Sequence, residues 1–365
     1  MFKRRYEPTT SGVLTLLITV VVGVGAVLSE NNLVFGVLGI ALGGIIASGA
    51  LSGLMMMRCT VARAAPDFGV AGQPVRVRYT VRNRSTLVDA YAIKIDETVR
   101  TARGERARIR AAIAHVPRRS EVSVSTTLTL ERRGEARFTG VRISSTFPFG
   151  LARKSIEVPA HASMSVHPHA ITLQRDAALA VSERGRDSEH EGAVNGPEGE
   201  FFGLRDYVDG DSPRSIAWKP SARTGRMVVR ELARAEAGRL RVVLRLANAP
   251  DEREADRAAT LAAAFVRAAG ARGRVVGLEL PDSGRRLPPV ASSAGRHRAM
   301  LDALAIAERT DGPVRTMPPD HDTHADEVVV HAGAIDPSSG SARARHVSSH
   351  DLERLVAGQL PGGLA

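Results

Sequence analysis

Two uncharged apolar runs near the N-terminus constrain this chain more than any other feature. Pro8 to Ser29 contains no charged residue, and Gly12 to Leu28 is apolar apart from Thr15 and Thr19. After the polar break Ser29-Glu30-Asn31-Asn32, a second uncharged run extends from Leu33 to Met57. A hydrocarbon core needs about 20 such residues, so each run predicts a spanning helix. The short link folds the two into an antiparallel hairpin. Gly36, Gly39, Gly43 and Ala47 fall near one face of the second helix, where two backbones can approach closely. Lys3, Arg4 and Arg5 precede the first run, Arg58 and Arg63 follow the second, and the turn carries no positive charge. The positive-inside rule therefore expects both ends, and the bulk of the chain, in the cytoplasm. The expectation is a multi-pass protein of the cell (inner) membrane. A basic start and an apolar middle also fit a cleaved signal peptide, although no A-x-A site follows.

Past Arg58 the hydrophobic period changes to two. Val75, Val77, Tyr79 and Val81 alternate with Arg76, Arg78, Thr80 and Arg82, the pattern of a strand with one buried face. Ile93 and Ile95, then Val122, Val124, Leu128 and Leu130, then Phe138, Val141 and Ile143, repeat it between polar turns. These short strands predict an antiparallel sandwich over about 60–168. Aromatic residues are only 4% of the chain, so the cores are built mainly from Val, Leu, Ile and Ala. A stretch rich in Glu, Arg, Gly, Ser and His from Ile171 to Glu200 reads as a connector. Beyond it Leu240–Leu246 predicts a strand. Ala258, Leu261, Ala262, Phe265, Val266 and Ala269 predict a helix closed by Gly270 or Gly273, and Arg274–Leu280 a second strand. That β, α, β order argues for a parallel sheet. Met300, Leu301, Leu304 and Ala305 predict a further helix and Val328–Val330 a further strand. Asp336–Ser349 reads as loose, and Leu352–Val356 as a short last helix.

The most distinctive stretch runs from Gly199 through Trp218 and Arg223 to Glu231. It holds the single Trp beside Phe201, Phe202 and Tyr207 in a chain otherwise poor in rings. Asp209-Gly210-Asp211 predicts a tight turn, with Asp211 capping a short helix whose early Pro213 lacks an amide that would be unpaired anyway. Ile216 and Trp218 are expected to anchor that element. Arg205, Arg214 and Arg223 are placed to pair with Asp206, Asp209 and Asp211, with Arg214 expected buried and Arg223 exposed. The segment reads either as a buried joint between two domains or as a partner-binding surface using the same arginines.

These residues resemble the signature of the bacterial family called domain of unknown function 58, G-E-F-x-G-L-R-E-Y-x-x-G-D-x-x-R-x-I-x-W-x-x-S-A-R. Asp206 stands in place of the usual Glu, while Tyr207, Gly210, Asp211, Arg214, Ile216, Trp218, Ser221, Ala222 and Arg223 match. Arg133-Gly134 and Pro148-Phe149-Gly150-Leu151 also occupy places expected in that family's β-rich domain. The resemblance implies a membrane hairpin over 1–57, a β-sandwich-like domain over 58–170 and a connector over 171–198. The signature and an α/β region like a reduced von Willebrand factor type A fold then fill 199–365. It further implies partnership with a MoxR-type AAA+ ATPase and with other von Willebrand factor type A proteins. The signature residues Arg205 to Arg223, Asp209 included, become the candidate partner-binding set.

Recognisable chemistry is sparse. A type A metal site needs D-x-S-x-S after its first strand, whereas Leu246-Ala247-Asn248-Ala249-Pro250 stands there and Asp251 lacks paired serines. No metal is expected at that place. Asp320-His321-Asp322-Thr323-His324 offers imidazoles and carboxylates without a third distant ligand, and His161, His167 and His169 lack a carboxylate partner. There is no G-x-x-x-x-G-K-[ST] loop and no G-x-S-x-G elbow. A single cysteine, Cys59, excludes an intrachain disulfide. The formal charge of +11 attracts nucleic acid, anionic lipid or an acidic partner alike. No run of exposed aromatics beside basic residues points to nucleic acid. The leading expectation is thus a non-enzymatic membrane adaptor or assembly factor, with no cofactor, no catalytic residues and the lipid bilayer as a partner. The alternatives are a metal-dependent hydrolase and a basic protein binding nucleic acid or anionic lipid.

Overall fold

The computed structural model describes residues 3–173, 195–208, 211–233, 239–247, 249–290, 293–309, 326–336 and 344–357. The chain divides into two compact units, residues 1–169 and 170–365.

The first unit opens with strand β1 (Lys3–Pro8) and helices α1 (Thr10–Ser29) and α2 (Asn32–Met57). Both helices start at side-chain caps. Thr9 accepts from the Gly12 amide at 3.0 Å and Asn31 from Leu33 at 2.9 Å, each satisfying an amide the helix cannot. Both are long and apolar enough to cross a membrane. The small-residue face of α2 is not where they meet. A Cβ at Gly36, Gly39 or Gly43 would find nothing within 4 Å, whereas one at Gly23 of α1 would touch Leu38. A bulky side chain lying over a glycine, not two glycine faces, makes this contact.

Strands β2 (Cys59–Ala64), β3 (Phe68–Val70), β4 (Val75–Asn83), β5 (Ala90–Thr101), β6 (Arg106–Val116), β7 (Glu121–Leu128), β8 (Gly134–Ser145), β9 (Ala152–Val158) and β10 (Ala162–His167) follow. They form a three-stranded sheet, β2-β4-β7, and a seven-stranded mixed sheet organised around β8. One edge of β8 pairs with β5, and the other is shared by β10 and β9. The alternating residues behave as their period demands: Val77, Tyr79 and Val81 join Ile93, Ile95, Phe138, Val141 and Ile143 in one core.

The hairpin is planted in this body at both feet. β1 pairs antiparallel with β9, Lys3 opposite Glu157 through Pro8 opposite Ala152. The Thr9 amide donates to the Leu151 carbonyl at 3.1 Å, and its hydroxyl to Gly150. Gly12 makes the approach possible, since a Cβ there would stand 1.8 Å from the Leu151 oxygen. At the other foot, Met55 and Met56 are buried in the strand core. The Tyr91 amide meets the Met55 sulfur at 3.3 Å, and the Cys59 thiol donates to the Met55 carbonyl at the same distance. Burial pushes that thiol up to about 11.

Arg63, one of the positive charges that follow the second run, is drawn into the body of the first unit. Its guanidinium is buried, ion-paired with Glu97 and bonded to the Ala160 carbonyl at 2.8 Å, and it lies 4.2 Å from the centroid of Phe138. Tyr79 donates to the second Glu97 oxygen at 2.6 Å. The alternation of β2 turns this arginine inward, and the buried carboxylate holds it there.

The second unit contains β11 (Asn195–Asp206), α3 (Trp218–Thr224), β12 (Val228–Ala233), β13 (Arg239–Arg245), α4 (Glu252–Ala271), β14 (Val275–Leu280), β15 (Arg285–Val290), α5 (Ala294–Ile306), β16 (Asp326–His331), β17 (Arg345–Ser348) and α6 (Leu352–Val356). β11 and β12 pair as an antiparallel ribbon. The main sheet has the order β15-β14-β13-β16-β17 and is parallel except for the edge strand β15. α4 buries Ala258, Leu261, Ala262, Phe265, Val266 and Ala269 with Leu240, Val242 and Leu244 of β13 in one core. Its N-terminus is capped by Asp251, which accepts from the Glu254 amide at 2.8 Å. The supposedly loose tail contains β17: Val347 is fully buried, and Ser348 and Asp351 form a capping box. Only a four-residue strand is needed there because β16 supplies the pairing partner.

Candidate functional site

The signature segment folds as a ribbon, a turn and a short helix that return on one another. In the ribbon, Leu204, Arg205 and Asp206 stand opposite Arg230, Val229 and Val228, with a bulge between Phe201 and Gly203. Beyond Tyr207, whose amide donates to Met227, a 3₁₀ turn at Pro213–Ser215 leads into α3. Ile216 bridges back to Val229, and the Ala217 amide donates to Val228 at 2.8 Å. Ser221 ties the helix to β12, donating to the Ala217 carbonyl at 2.8 Å and accepting from the Val228 amide at 2.9 Å. Gly225, at φ 68°, ends α3. Among the described residues, Ile216, Ala217, Val228 and Val229 are the buried ones of this knot.

Asp211 does not cap a helix. Ser212 occupies the cap position of the 3₁₀ turn, one residue later than the sequence suggested, and makes no side-chain cap bond. The Asp211 carboxylate instead grips the Arg205 guanidinium with two bonds, 2.7 and 2.6 Å, and accepts from the Val208 amide at 3.1 Å. The Arg205 contact holds the Asp211 carboxyl below the usual carboxylate range. Arg205 also donates to the Asp206 carbonyl. The expected pairing of Arg205 is therefore present, with Asp211 as its partner, while the Asp206 side chain is exposed. Asp209, Gly210 and the Arg214 side chain lie outside the described residues.

Trp218 is the main departure from expectation. Ile216 is buried, but Trp218, at the first position of α3, is 65% exposed. Leu204, Val208 and Met227 are exposed as well, as are Ala222 and Arg223. The alternation of a two-residue step, Ile216 in and Trp218 out on leaving the turn, is not readable without knowing where α3 begins. Four large apolar side chains thus face water in a segment whose backbone is tightly bonded.

The remaining candidates are occupied by the chain's own bonds. At the C-terminal end of β13 the Leu246 amide donates to Asp282 at 2.5 Å, and Glu254 accepts from the Ser349 hydroxyl at 2.6 Å. The Ser349 hydroxyl accepts in turn from Gly333. His331 and His346, which sequence reasoning passed over, share a hydrogen bond of 2.9 Å, and burial pulls His331 down to about 4. His167 stacks on Phe68 at 5.1 Å, His169 meets the Glu131 carbonyl at 3.1 Å, and His161 is exposed. Asp320–His324 lie outside the described residues. Among the described residues no three His, Cys, Asp or Glu side chains are grouped to hold a metal.

Fold and site together define a chain with an apolar two-helix hairpin, a β-rich body and a parallel α/β unit that displays an exposed apolar signature. Within that class, residues 203–339 match the family model described as protein of unknown function DUF58, which supports the resemblance read from the signature. No curated protein matches the chain. Solved structures similar to part of it include the CARDB domain of a Pyrococcus furiosus protein, at 13% identity over 30% of this chain and 86% of that one, TM-score 0.21. The C-terminal domain of wzt shows 11% identity over 31% and 75%, TM-score 0.25. Superoxide reductase from Ignicoccus hospitalis shows 18% over 29% and 79%, TM-score 0.20. These likenesses are too slight to bear on fold or function.

Proposed function

We propose that this chain is a membrane-anchored adaptor without chemistry of its own, working with a MoxR-type AAA+ ATPase to assemble or maintain envelope protein complexes. The observation that carries the reading is the exposure of Trp218 with Leu204, Val208 and Met227 on a backbone locked by Arg205–Asp211 and Ser221. A rigid surface presenting an aromatic anchor binds a partner with little ordering cost. The signature's resemblance supplies the kind of partner, and the parallel sheet is compatible with a reduced von Willebrand factor type A-like region following a sandwich-like β domain.

The two helices serve as the anchor, crossing the cell membrane as a hairpin. Support comes from their length and their exposed apolar surface, and from both feet being fixed to the same folded unit. That arrangement requires the β-rich body to lie on the side of the bilayer where both outer ends emerge. Arg58 and the N-terminal basic residues favour the cytoplasmic side. Proteins co-purifying with the detergent-solubilised chain test the reading. A AAA+ ATPase captured by the parent chain and lost from Trp218→Ala supports it, and equal capture by both refutes the assigned surface.

A further inference from the structure

Both feet of the hairpin enter one rim of the β-rich body. Ser52, Gly53, Met55 and Met56 of α2 are buried there. That leaves 32–51, about 20 residues, to match a hydrocarbon core. Met55, which meets the Tyr91 amide, lies about 6 Å along the helix beyond Leu51, so the start of β5 sits just outside that boundary.

The loops of the rim are fixed beside the α2 foot. β2 leaves α2 at Cys59, opposite Asn83 at the end of β4, and the Arg84 amide donates to the Arg58 carbonyl at 2.9 Å. The loop 84–89 therefore leaves the body where α2 enters it. The fully buried Asn83 side chain holds this loop, donating to the Val88 carbonyl at 3.0 Å and accepting from the Ser85 amide at 2.9 Å. The Ser85 hydroxyl accepts in turn from Val88 at 3.1 Å. The turn 117–120 is tied to the same place, since the Asn83 backbone amide donates to Ser120 and the Arg118 amide to the Asp89 carboxylate, both at 2.9 Å. The turn that receives Thr9 joins them through Phe147, which stacks on Tyr91 at 4.8 Å.

What this rim presents to solvent is apolar tips among cations. Leu87 is 76% exposed although its loop is well bonded, and Phe149, in the turn beside Thr9, is 63% exposed. Arg58, Arg84, Arg118 and Arg119 are all exposed on the same rim. Asp89 is the carboxylate of these loops, and the Arg118 amide and His115 already occupy its two oxygens. Arg119 is held at φ 57°, a conformation that favours glycine, so the turn keeps a cation where its backbone does not prefer one.

We propose that this rim docks on the bilayer that the hairpin crosses, with Leu87 and Phe149 entering the edge of the acyl region and Arg84 and Arg119 lying against anionic headgroups. Leu87 precedes Tyr91 by four residues, a reach of up to about 13 Å, which is enough to arrive at the boundary. An apolar tip flanked by cations suits that boundary, because the side chain leaves water while the charges stay among the phosphates. The docking rests on the hairpin being membrane-spanning, and it adds a contact that fixes how the body stands on the membrane.

The test uses the full chain in nanodiscs of phosphatidylcholine, with and without phosphatidylglycerol, containing lipids spin-labelled near the headgroup. Thr86→Cys, at an exposed position beside Leu87, carries a fluorophore, while the buried Cys59 stays unlabelled. The reference is a label at Ala102→Cys, exposed in the turn at the far end of β5 and roughly 35 Å from Ala90. Quenching at 86 several-fold above that at 102 is expected, with a further gain from phosphatidylglycerol. Leu87→Asp should remove the excess at an unchanged melting temperature. Arg84→Gln with Arg119→Gly should cancel the gain from phosphatidylglycerol without loss of stability, because glycine suits the backbone at 119. Equal quenching at 86 and 102, or an excess indifferent to Leu87→Asp, overturns the proposal. A parent chain that gains nothing from phosphatidylglycerol, or a gain that survives the two arginine changes, overturns the headgroup contact. A label at Val20→Cys in the middle of α1 that escapes lipids spin-labelled deep in their chains would instead refute the hairpin reading itself.

Discussion

The Arg63 guanidinium is ion-paired with the Glu97 carboxylate where the two side chains are 5% and 0% exposed. Tyr79 completes the carboxylate's partners, and burial raises the Tyr79 hydroxyl above its ordinary value. Removing one charge from such a pair leaves the other buried and uncompensated. Arg63→Ala should therefore destabilise the first unit by about 3 to 5 kcal/mol. Arg63→Met combined with Glu97→Leu should recover most of that loss, because burial of two apolar chains carries no desolvation penalty of this size. Denaturant melts of the two variants check it; a double variant no more stable than Arg63→Ala contradicts the account.

Topology follows from the planted feet. Cys59 is buried and its thiol titrates near 11, so it should stay silent toward thiol reagents. Asn32→Cys in the turn and Ala114→Cys on β6 are both at exposed positions. An impermeant reagent applied to intact cells should label the first, and should label the second only after permeabilisation. The opposite pattern would invert the proposed orientation.

Within the signature, exposure separates two neighbouring residues. Ile216→Ala empties part of the knot's core and should cost about 2 to 5 kcal/mol. Trp218→Ala removes a ring that already faces water and should shift stability by no more than about 0.5 kcal/mol while abolishing capture of the partner. A Trp218→Ala chain that fails to fold would show the ring to be structural.

The Arg205–Asp211 clamp should loosen in acid. The Asp211 carboxyl titrates below its unfolded value, so its contribution is present above the unfolded pKa and is lost as pH falls through the folded one. The difference in melting temperature between the parent and Asp211→Asn should therefore be largest near neutrality and shrink in acid. A difference independent of pH would exclude the charge as the cause.

His331 responds at higher pH and for another reason. Desolvation is the main cause of its depression from 6.5 to about 4, with His346 and Arg245 adding repulsion and Asp336 opposing it. The folded chain binds fewer protons on this ring than the unfolded one, so stability is lost as pH falls from about 6.5 toward 4. The loss amounts to about 3 kcal/mol. Chemical denaturation of the parent across that range should show this slope, and His331→Gln should flatten it. An unchanged slope would assign the effect to other groups.

Some of this protein was determined by local sequence. The hairpin follows from the uncharged runs between Pro8 and Met57, because a helix that satisfies its own backbone is the form such a run takes in an apolar medium. The strands and α4 follow from periods of two and of 3.6, since side-chain direction along one element depends only on its own backbone. The signature was recognisable from Gly199 to Arg223 because its residue types stand at fixed spacing. Tertiary structure decided what those elements do to one another. Arg63 is one of the positive charges that follow the second run in the sequence, yet Glu97 of the other sheet, held in turn by Tyr79 of the neighbouring strand, removes it from solvent. Asp211 carries the mark of a helix cap, yet Arg205 from the ribbon claims it. Arg345–Ser348 has too little pattern to call a strand, but β16 offers the hydrogen bonds that make it one. Trp218, expected with Ile216 to anchor the element, is left at the surface because the residue that bridges to Val229 is Ile216, between the 3₁₀ turn and the helix that the indole opens. In each case the partner lies on another element of the fold, and burial and pairing energies depend on that partner and not on the residue alone.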